Sequence, residues 1–387
     1  VEGINAYDGA GYPAFLQEVP ARLHAVPKTI SKPRLIAAEP TCLQWCQQSI
    51  RDFLYHRVSH TILSNFVDFR HQEKNGLLAL EASHSGQLST IDLSEASDRI
   101  SCWHVERLFR RSPSLLRALE ATRSLWLKQG ICSKSPQYIL LRKYSTMGNA
   151  TTFPVQSLFF LTLALASTLF ARKQKVNYRN IRLLGECQVR VFGDDIIVPK
   201  DGSDVLLDLL QALSLKVNVR KTFTVGNFRE SCGVDAFMGH DVTTVNVLDN
   251  PVRTKPGSIA SCVDVHHNLC DKGYFRTAAY VRKTVTDRIT NVIRTVGHRS
   301  GFFGWSDLED FPSNGVCIRR YNWDLQIPEV KCLVPTVKTF NVPPEGVAGL
   351  LQFFTEASFR VTSALSTLGH ASRRPKARLS LRWVPAL

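Results

Sequence analysis

The sequence predicts an α+β fold in which helices pack on one face of a mainly antiparallel sheet. Three observations carry that expectation. The stretch QVRVFGDDIIVPK, residues 188–200, sets Gly193, Asp194 and Asp195 between two runs of strand-forming apolar residues, the pattern of a hairpin. A long apolar run, FPVQSLFFLTLALASTLF at 153–170, precedes it at helical length. Further upstream, GQLSTIDLS at 86–94 reads as a strand entered from Gly86, with a helical period after it.

The elements follow in order. Residues 41–58 carry Leu43, Cys46, Ile50, Phe53 and Leu54 at helical spacing, with Thr41 placed to cap a half-buried helix. After the strand at 86–94, DRISCWHVERLFRR at 98–111 restores a helical period through Ile100, Trp103 and Leu108 and ends in basic residues that suit the helix dipole. Asp92 therefore stands where a strand ends and a helix is about to begin. Beyond the hairpin, Ser203 is placed to cap DVLLDLLQALS, and KVNVRKTFTV at 216–225 is strand-like. Residues 256–300 read as helical, and the tail from Ser372 is basic, solvated or laid against a polyanion.

Composition bounds the function. A chain of 387 residues buries a large core, so a small stapled scaffold is excluded. Its 48 Lys and Arg against 33 Asp and Glu favour a polyanionic partner, with nucleic acid the commonest. The ten cysteines have neither the paired spacing of a zinc site nor the density of a disulfide domain, and read as mostly buried thiols in a reducing compartment. Neither a secretory signal nor a transit peptide is visible at VEGINAYDGAGYPAFLQ, and the chain is expected to be a fragment. The run at 153–170 reaches the minimum length for a membrane span, but Pro154, Gln156 and its hydroxyls favour a buried core helix.

Asp194 and Asp195 admit three explanations: a turn that happens to use Asp, an acid/base pair, or a divalent-metal site. Asp92 shifts the balance toward the third. Two such strand ends on neighbouring strands would gather three carboxylates, and that cluster is repulsive unless hard cations such as Mg²⁺ or Mn²⁺ sit in it. Two metals so held suit phosphoryl and nucleotidyl transfer.

Several stretches together resemble the catalytic subunit of the RNA-directed RNA polymerases of levivirus-like positive-strand RNA bacteriophages. TIDLSEASDRIS at 90–101 is similar to their motif A, YSTMGNATTFPVQSLFF at 144–160 to motif B and VFGDDIIVP at 191–199 to motif C. VNVRKTFTVGNFRESCGVDAFMGHDVT at 217–243 resembles the motif D to E region, and AVPKTISKPRLIAAEP at 25–40 resembles motif F. HQEKNGLLALEAS at 71–83 matches the approach to motif A. The resemblance implies a palm-type right-hand polymerase with an antiparallel palm sheet backed by helices. Partial fingers would occupy 1–85, the palm 86–245 with a fingers insertion at about 103–143, and the thumb and basic C-terminal region 246–387.

The resemblance also implies roles. Asp92 and Asp194 would hold two Mg²⁺ ions, or Mn²⁺, with Asp195 a weaker or water-mediated ligand. Asp98 would accept a hydrogen bond from the ribose 2′-OH, its other reading being a helix N-terminal acid. Gly148 would permit close backbone approach to the templating base or the nucleotide, while Asn149 and Thr152 offer hydrogen bonds near the ribose. Gln156 stands where many such polymerases have Asn, four residues after Thr152, which leaves the partner of Asp98 open. Lys28, Lys32 and Arg34 would surround the triphosphate. Lys221 would protonate the leaving pyrophosphate or, as a sheet-edge lysine, bind RNA backbone. Arg229 and Glu230 would form a structural ion pair. Phe192 replaces the usual Tyr, and a longer N-terminal region usually precedes motif F.

The implied partners are an RNA template and product, NTPs, host elongation factors Tu and Ts and a small-subunit ribosomal protein, with no membrane, in the host bacterial cytoplasm. The alternatives are a non-catalytic RNA-binding remnant and a reverse transcriptase.

Overall fold

A computed structural model describes residues 19–27, 33–185, 189–247, 249–253, 255–289, 293–297, 302–307, 318–337 and 377–385. Lys28 and Lys32 lie outside these residues. The chain divides into two compact units, Val1–Thr243 and Thr244–Leu387.

The first unit opens with β1 (Ala21–Pro27) and β2 (Pro33–Ala38), an antiparallel pair, followed by α1 (Thr41–Ser59) and α2 (Glu73–Ser85). Next come β3 (Leu88–Ile91), α3 (Ala96–Arg99), α4 (Cys102–Phe109), α5 (Pro113–Ala121), β4 (Trp126–Lys128) and β5 (Tyr138–Leu140). The long α6 (Thr152–Ala171) and α7 (Tyr178–Leu184) lead to β6 (Arg190–Phe192), β7 (Asp195–Pro199) and α8 (Lys200–Ala212). A meander of β8 (Phe228–Ser231), β9 (Val234–Phe237) and β10 (His240–Asp241) closes the unit.

Two sheets matter for the site. One runs β2-β1-β4-β5, and the other runs β3-β7-β6 with both pairings antiparallel. In the second sheet every residue of β3 is buried, as are Ile196–Pro199 of β7. Ile91, Ile196 and Val198 face the main core built on α6 and α8. Leu88 and Ile197 face the opposite way, against Leu78 and Ala82 of α2. The sheet is thus covered on both faces, which corrects the expectation of helices on one face only. Near-continuous apolar strands are what two-sided burial demands.

The apolar helix forms as expected. By length and composition it is the one described helix able to cross a membrane, but 72% of its most apolar window is buried, in the core of this unit. Other boundaries differ from the sequence pattern. Thr41 and Ser203 do not cap their helices; Pro40 and Pro199 occupy the cap positions with φ near −56°, and Ser203 Oγ turns back to Lys200 O at 2.8 Å. Along α1 the buried positions are Gln47, Leu54 and Val58, so Cys46 and Phe53 fall on the exposed flank. The helical period at 98–111 is broken at Ile100, and α4 starts afresh behind a capping box of Ser101 and His104, which leaves Trp103 exposed. The segment 216–225 touches the β3 edge through two bridges, Leu93↔Val217 and Thr90↔Phe223, with a 3₁₀ turn at Val219–Lys221 between them. Of the eight described cysteines only Cys262, Cys270 and Cys332 are buried.

Arg229 and Glu230 are not an ion pair. Adjacent strand residues point to opposite faces. Arg229, fully buried, donates to Leu88 O at 2.6 Å, Phe228 O at 2.6 Å and Gly226 O at 2.9 Å, stapling β8 to β3. Removing it strands these carbonyls, at about 1–3 kcal/mol for each that finds no other partner. Arg229→Met is expected to cost about 3 kcal/mol in urea unfolding; a loss below about 1 kcal/mol would show that the carbonyls are resatisfied.

The second unit contains α9 (Pro256–Asp271) and α10 (Phe275–Thr286), packed through Ile259, Val263, Val285 and Trp305. The short parallel pair β11 (Thr295–Gly297) and β12 (Trp305–Asp307) follows, so the helical pattern stops well before 300. A three-stranded antiparallel sheet joins β13 (Ile318–Asn322), β14 (Ile327–Val337) and β15 (Ala377–Pro385). From Ala377 the basic tail is a strand, paired with β14 from Val337↔Ala377 to Glu329↔Pro385, and the side chains at 379–385 are exposed or half-buried; residues 372–376 lie outside the described residues.

Candidate active site

The acidic turn is built from below. Gly193 takes φ +64°, which a hairpin turn of two residues requires and a side chain resists, and its N–H donates to Ser157 Oγ of α6 at 3.0 Å. A Cβ on Gly193 would lie 3.1 Å from the Phe153 ring and 3.7 Å from Gln156 Nε2. Phe153 also meets Phe192 edge-on at 4.9 Å. The turn thus sits directly on the first two turns of α6, and Gln156 faces the turn.

Cross-strand register brings in the third carboxylate. Ile91 pairs with Ile196, so Asp92, one residue beyond, and Asp195, one residue before, are the next facing positions. Asp194 occupies the turn itself. Asp92 is held by Asn218, whose Nδ2 donates to Oδ2 at 2.7 Å and whose backbone N–H donates to Asp92 O at 2.9 Å. Cys232, at φ +51° in the β8–β9 turn, donates to Asp195 from its backbone and its thiol.

Like charges this close oppose one another's ionisation. Burial, then Asp194, then Asp92 push Asp195 up to about 7, against the hydrogen bonds from Cys232. Burial, with Asp194 adding to it, also raises Asp92, while Asn218 opposes the shift. Hard oxygen donors in a repulsive, partly buried group fit a divalent cation in charge and chemistry. Among the described residues, no three His, Cys, Asp or Glu side chains are already drawn together tightly enough to hold one.

The raised Asp195 has a signed consequence for stability. Below about pH 4 it is protonated in both folded and unfolded chains; between about 4 and 7 only the unfolded chain ionises. Its contribution is therefore full at low pH, is lost as pH rises to about 7 and is level above that. Melting temperatures across this range in chelator should show the loss in the wild type and a flatter profile in Asp195→Asn; parallel profiles would refute the assignment.

Around the acids, Lys221 ends the 3₁₀ turn, with its Nζ bonded to the Glu230 carboxylate. Glu230 first, then Asp92 and Asp195, raise the lysine pKa and keep it charged. Asp98 is exposed in α3 and ion-paired with Lys143, which answers the question that Gln156 left open. Arg34 is exposed on β2, opposite Val26. Gly148, at φ +121°, does make a close backbone approach, but to the protein itself: a Cβ there would lie 2.0 Å from Ala37 O of β2. Asn149 Oδ1 accepts from Thr151 N at 2.8 Å and Thr151 Oγ1 at 2.7 Å. Thr152 Oγ1 donates to Thr146 O at 2.8 Å and contacts Ser145 Oγ at 2.8 Å. Both side chains are buried and tie the loop together. The sequence pattern missed Asn218, Cys232, Ser157 and Lys143; the only local signal was polar Asn218 between two valines on a strand edge.

A hairpin carboxylate pair beside a strand-end carboxylate, with the Lys221 ammonium charge-coupled to Asp92 and Asp195, is the kind of arrangement that suits phosphate chemistry. The chain belongs to the family described as RNA replicase, beta-chain, whose pattern matches residues 14–259. It is 34% identical over 217 residues to the RNA-directed RNA polymerase beta chain of Enterobacteria phage fr, covering 56% of this chain and 36% of that one. It is 35% identical over 218 residues to the RNA-directed RNA polymerase subunit beta of Qbeta virus (strain MX1), covering 56% and 34%. The matched part spans about a third of those relatives. Among solved structures, the RNA-dependent RNA polymerase of a human picorbirnavirus gives a TM-score of 0.47 at 12% identity, over 70% of this chain and 56% of that one. Telomerase from Candida albicans gives 0.45 at 10% identity, over 70% and 56%.

Proposed function

We propose that this chain carries the palm of an RNA-directed RNA polymerase, which joins NTPs on an RNA template inside the bacterial host of an RNA phage. The observation that supports this most is the facing of Asp92 and Asp195 beside Asp194, in a chain of the replicase beta family. In this reading Asp92 and Asp194 hold two Mg²⁺ ions, with Asp195 supporting and Mn²⁺ able to substitute. The bound ions supply charge stabilisation of the attacking and leaving oxygens.

The protein groups have separate tasks. Asp98, oriented by Lys143, accepts a hydrogen bond from the ribose 2′-OH. Gly148, Asn149 and Thr152 shape the loop against which the nucleotide lies. Arg34, with Lys28 and Lys32, binds the triphosphate. Lys221 Nζ, kept charged by Glu230, gives its proton to the leaving pyrophosphate. Fingers, palm and thumb follow the division 1–85, 86–245 and 246–387. Elongation factors Tu and Ts and a small-subunit ribosomal protein belong to the same proposal.

The test is template-directed incorporation of labelled NTPs, with and without Mg²⁺ and with and without those host factors. RNA-length product that needs the metal is expected. Preference for dNTPs would convert the reading to a reverse transcriptase, and RNA binding without incorporation under every condition would overturn it.

A further inference from the structure

The loop at 144–152 is held from outside at four points, one on α1, one on the connection between α5 and β4, and two at the end of the 25–40 stretch. Gln47 of α1, fully buried, donates from Nε2 to Thr122 O at 2.7 Å and accepts at Oε1 from Ala150 N at 3.3 Å. Glu39, just past β2, accepts from Ser124 Oγ at 2.5 Å, from Thr146 Oγ1 at 3.4 Å and from Gln47 Nε2 at 3.4 Å. Arg123 donates to three carbonyls at the loop entrance, Tyr144 O and Lys143 O at 2.9 Å and Leu141 O at 3.2 Å. Ala37 N donates to Met147 O at 2.8 Å. Three consecutive residues between α5 and β4, Thr122–Ser124, thus gather the end of β2, the middle of α1 and both arms of the loop.

We propose that Gln47, Glu39 and Arg123 form a positioning clamp that sets the discrimination between ribose and deoxyribose, resting on the polymerase reading above. The route is short. Arg123 fixes the backbone of Lys143, and the Lys143 ammonium holds Asp98, the group assigned to the 2′-OH. Gln47 and Glu39 fix the opposite arm, which carries Gly148 and Asn149. None of the three touches substrate, so loosening the clamp misplaces the sugar contacts and leaves the carboxylates where they are.

The experiment compares wild type with Gln47→Met, which keeps volume and removes the hydrogen bonds. Hydrogen exchange at 144–152 is read first, then KM and kcat for NTPs and dNTPs. Faster exchange at Ala150 is expected, together with about a tenfold fall in NTP over dNTP selectivity, carried by KM for the NTP with kcat within about twofold. Glu39→Gln, which keeps an acceptor oxygen, should retain most of the selectivity that Glu39→Ala loses. Should Gln47→Met fail to fold, Arg123→Lys is expected to give the same loss of selectivity, with the faster exchange read at Tyr144, on the arm that Arg123 holds. Unchanged exchange, or unchanged selectivity with only a lower melting temperature, would overturn the clamp. If the wild type incorporates no nucleotide, the polymerase reading fails, and the exchange result still decides whether these residues order the loop.

Discussion

Asp194→Asn is expected to lower NTP incorporation by roughly 10²–10³-fold while RNA binding is retained. Asn keeps the shape of the side chain and leaves Gly193 seated on Ser157, so the hairpin itself should survive. What disappears is one negative charge from the acidic centre. The same change removes the largest charge effect on Asp195, whose pKa should then fall from about 7 toward the ordinary carboxylate range. Primer extension, an RNA-binding titration and the pH dependence of melting read the three consequences separately. A loss below tenfold would remove Asp194 from the essential groups, and an equal loss of RNA affinity would point to an unfolded hairpin.

Gly148→Ala is the second large effect. Two costs coincide there: φ +121° is rarely adopted by an L side chain, and the new Cβ would lie 2.0 Å from Ala37 O. Backbone cannot yield cheaply, because Ala37 N is bonded to Met147 O on the same stretch. Either β2 or the loop must move. A stability loss of about 2–3 kcal/mol is expected. A displacement near 1 Å is enough for roughly a 10²-fold fall in incorporation efficiency. Gly86→Ala is the control, since Gly86 also has positive φ (+67°) but open space around it. Equal losses at the two positions, in melting temperature and in KM for NTPs, would assign the effect to backbone conformation alone.

What could be read from the sequence was local. The hairpin at 190–199 and the core helix at 152–171 each declare themselves within some twenty residues, through a Gly-Asp-Asp between β-formers and an unbroken apolar run. Asp92 was found because a strand visibly ends there. What escaped depends on partners far along the chain: Asn218 reaches Asp92 across 126 residues, and Arg229 reaches Leu88 across 141. No periodicity encodes such pairs. The strand from Ala377 escaped for the same reason, because the positive charge of the tail is local while the strand it pairs with runs some forty residues upstream. Thr41 and Ser203 misled because a hydroxyl near a helix start fits a cap only when no residue better restricted in φ occupies that place, and proline does so at both.

The register of β3 against β7 places a constraint on how this chain can vary. Asp92 continues directly from Ile91 and Asp195 leads directly into Ile196, so the distance between two acidic groups is dictated by a pair of isoleucines that perform no chemistry. Both faces of that pairing are enclosed, and the strands have no slack to absorb a bulkier or smaller residue. A change of size at Ile91 or Ile196 would accordingly alter the spacing of the two acids as well as cost stability. A survey of acid positions alone would overlook where much of the inherited restraint on the centre resides.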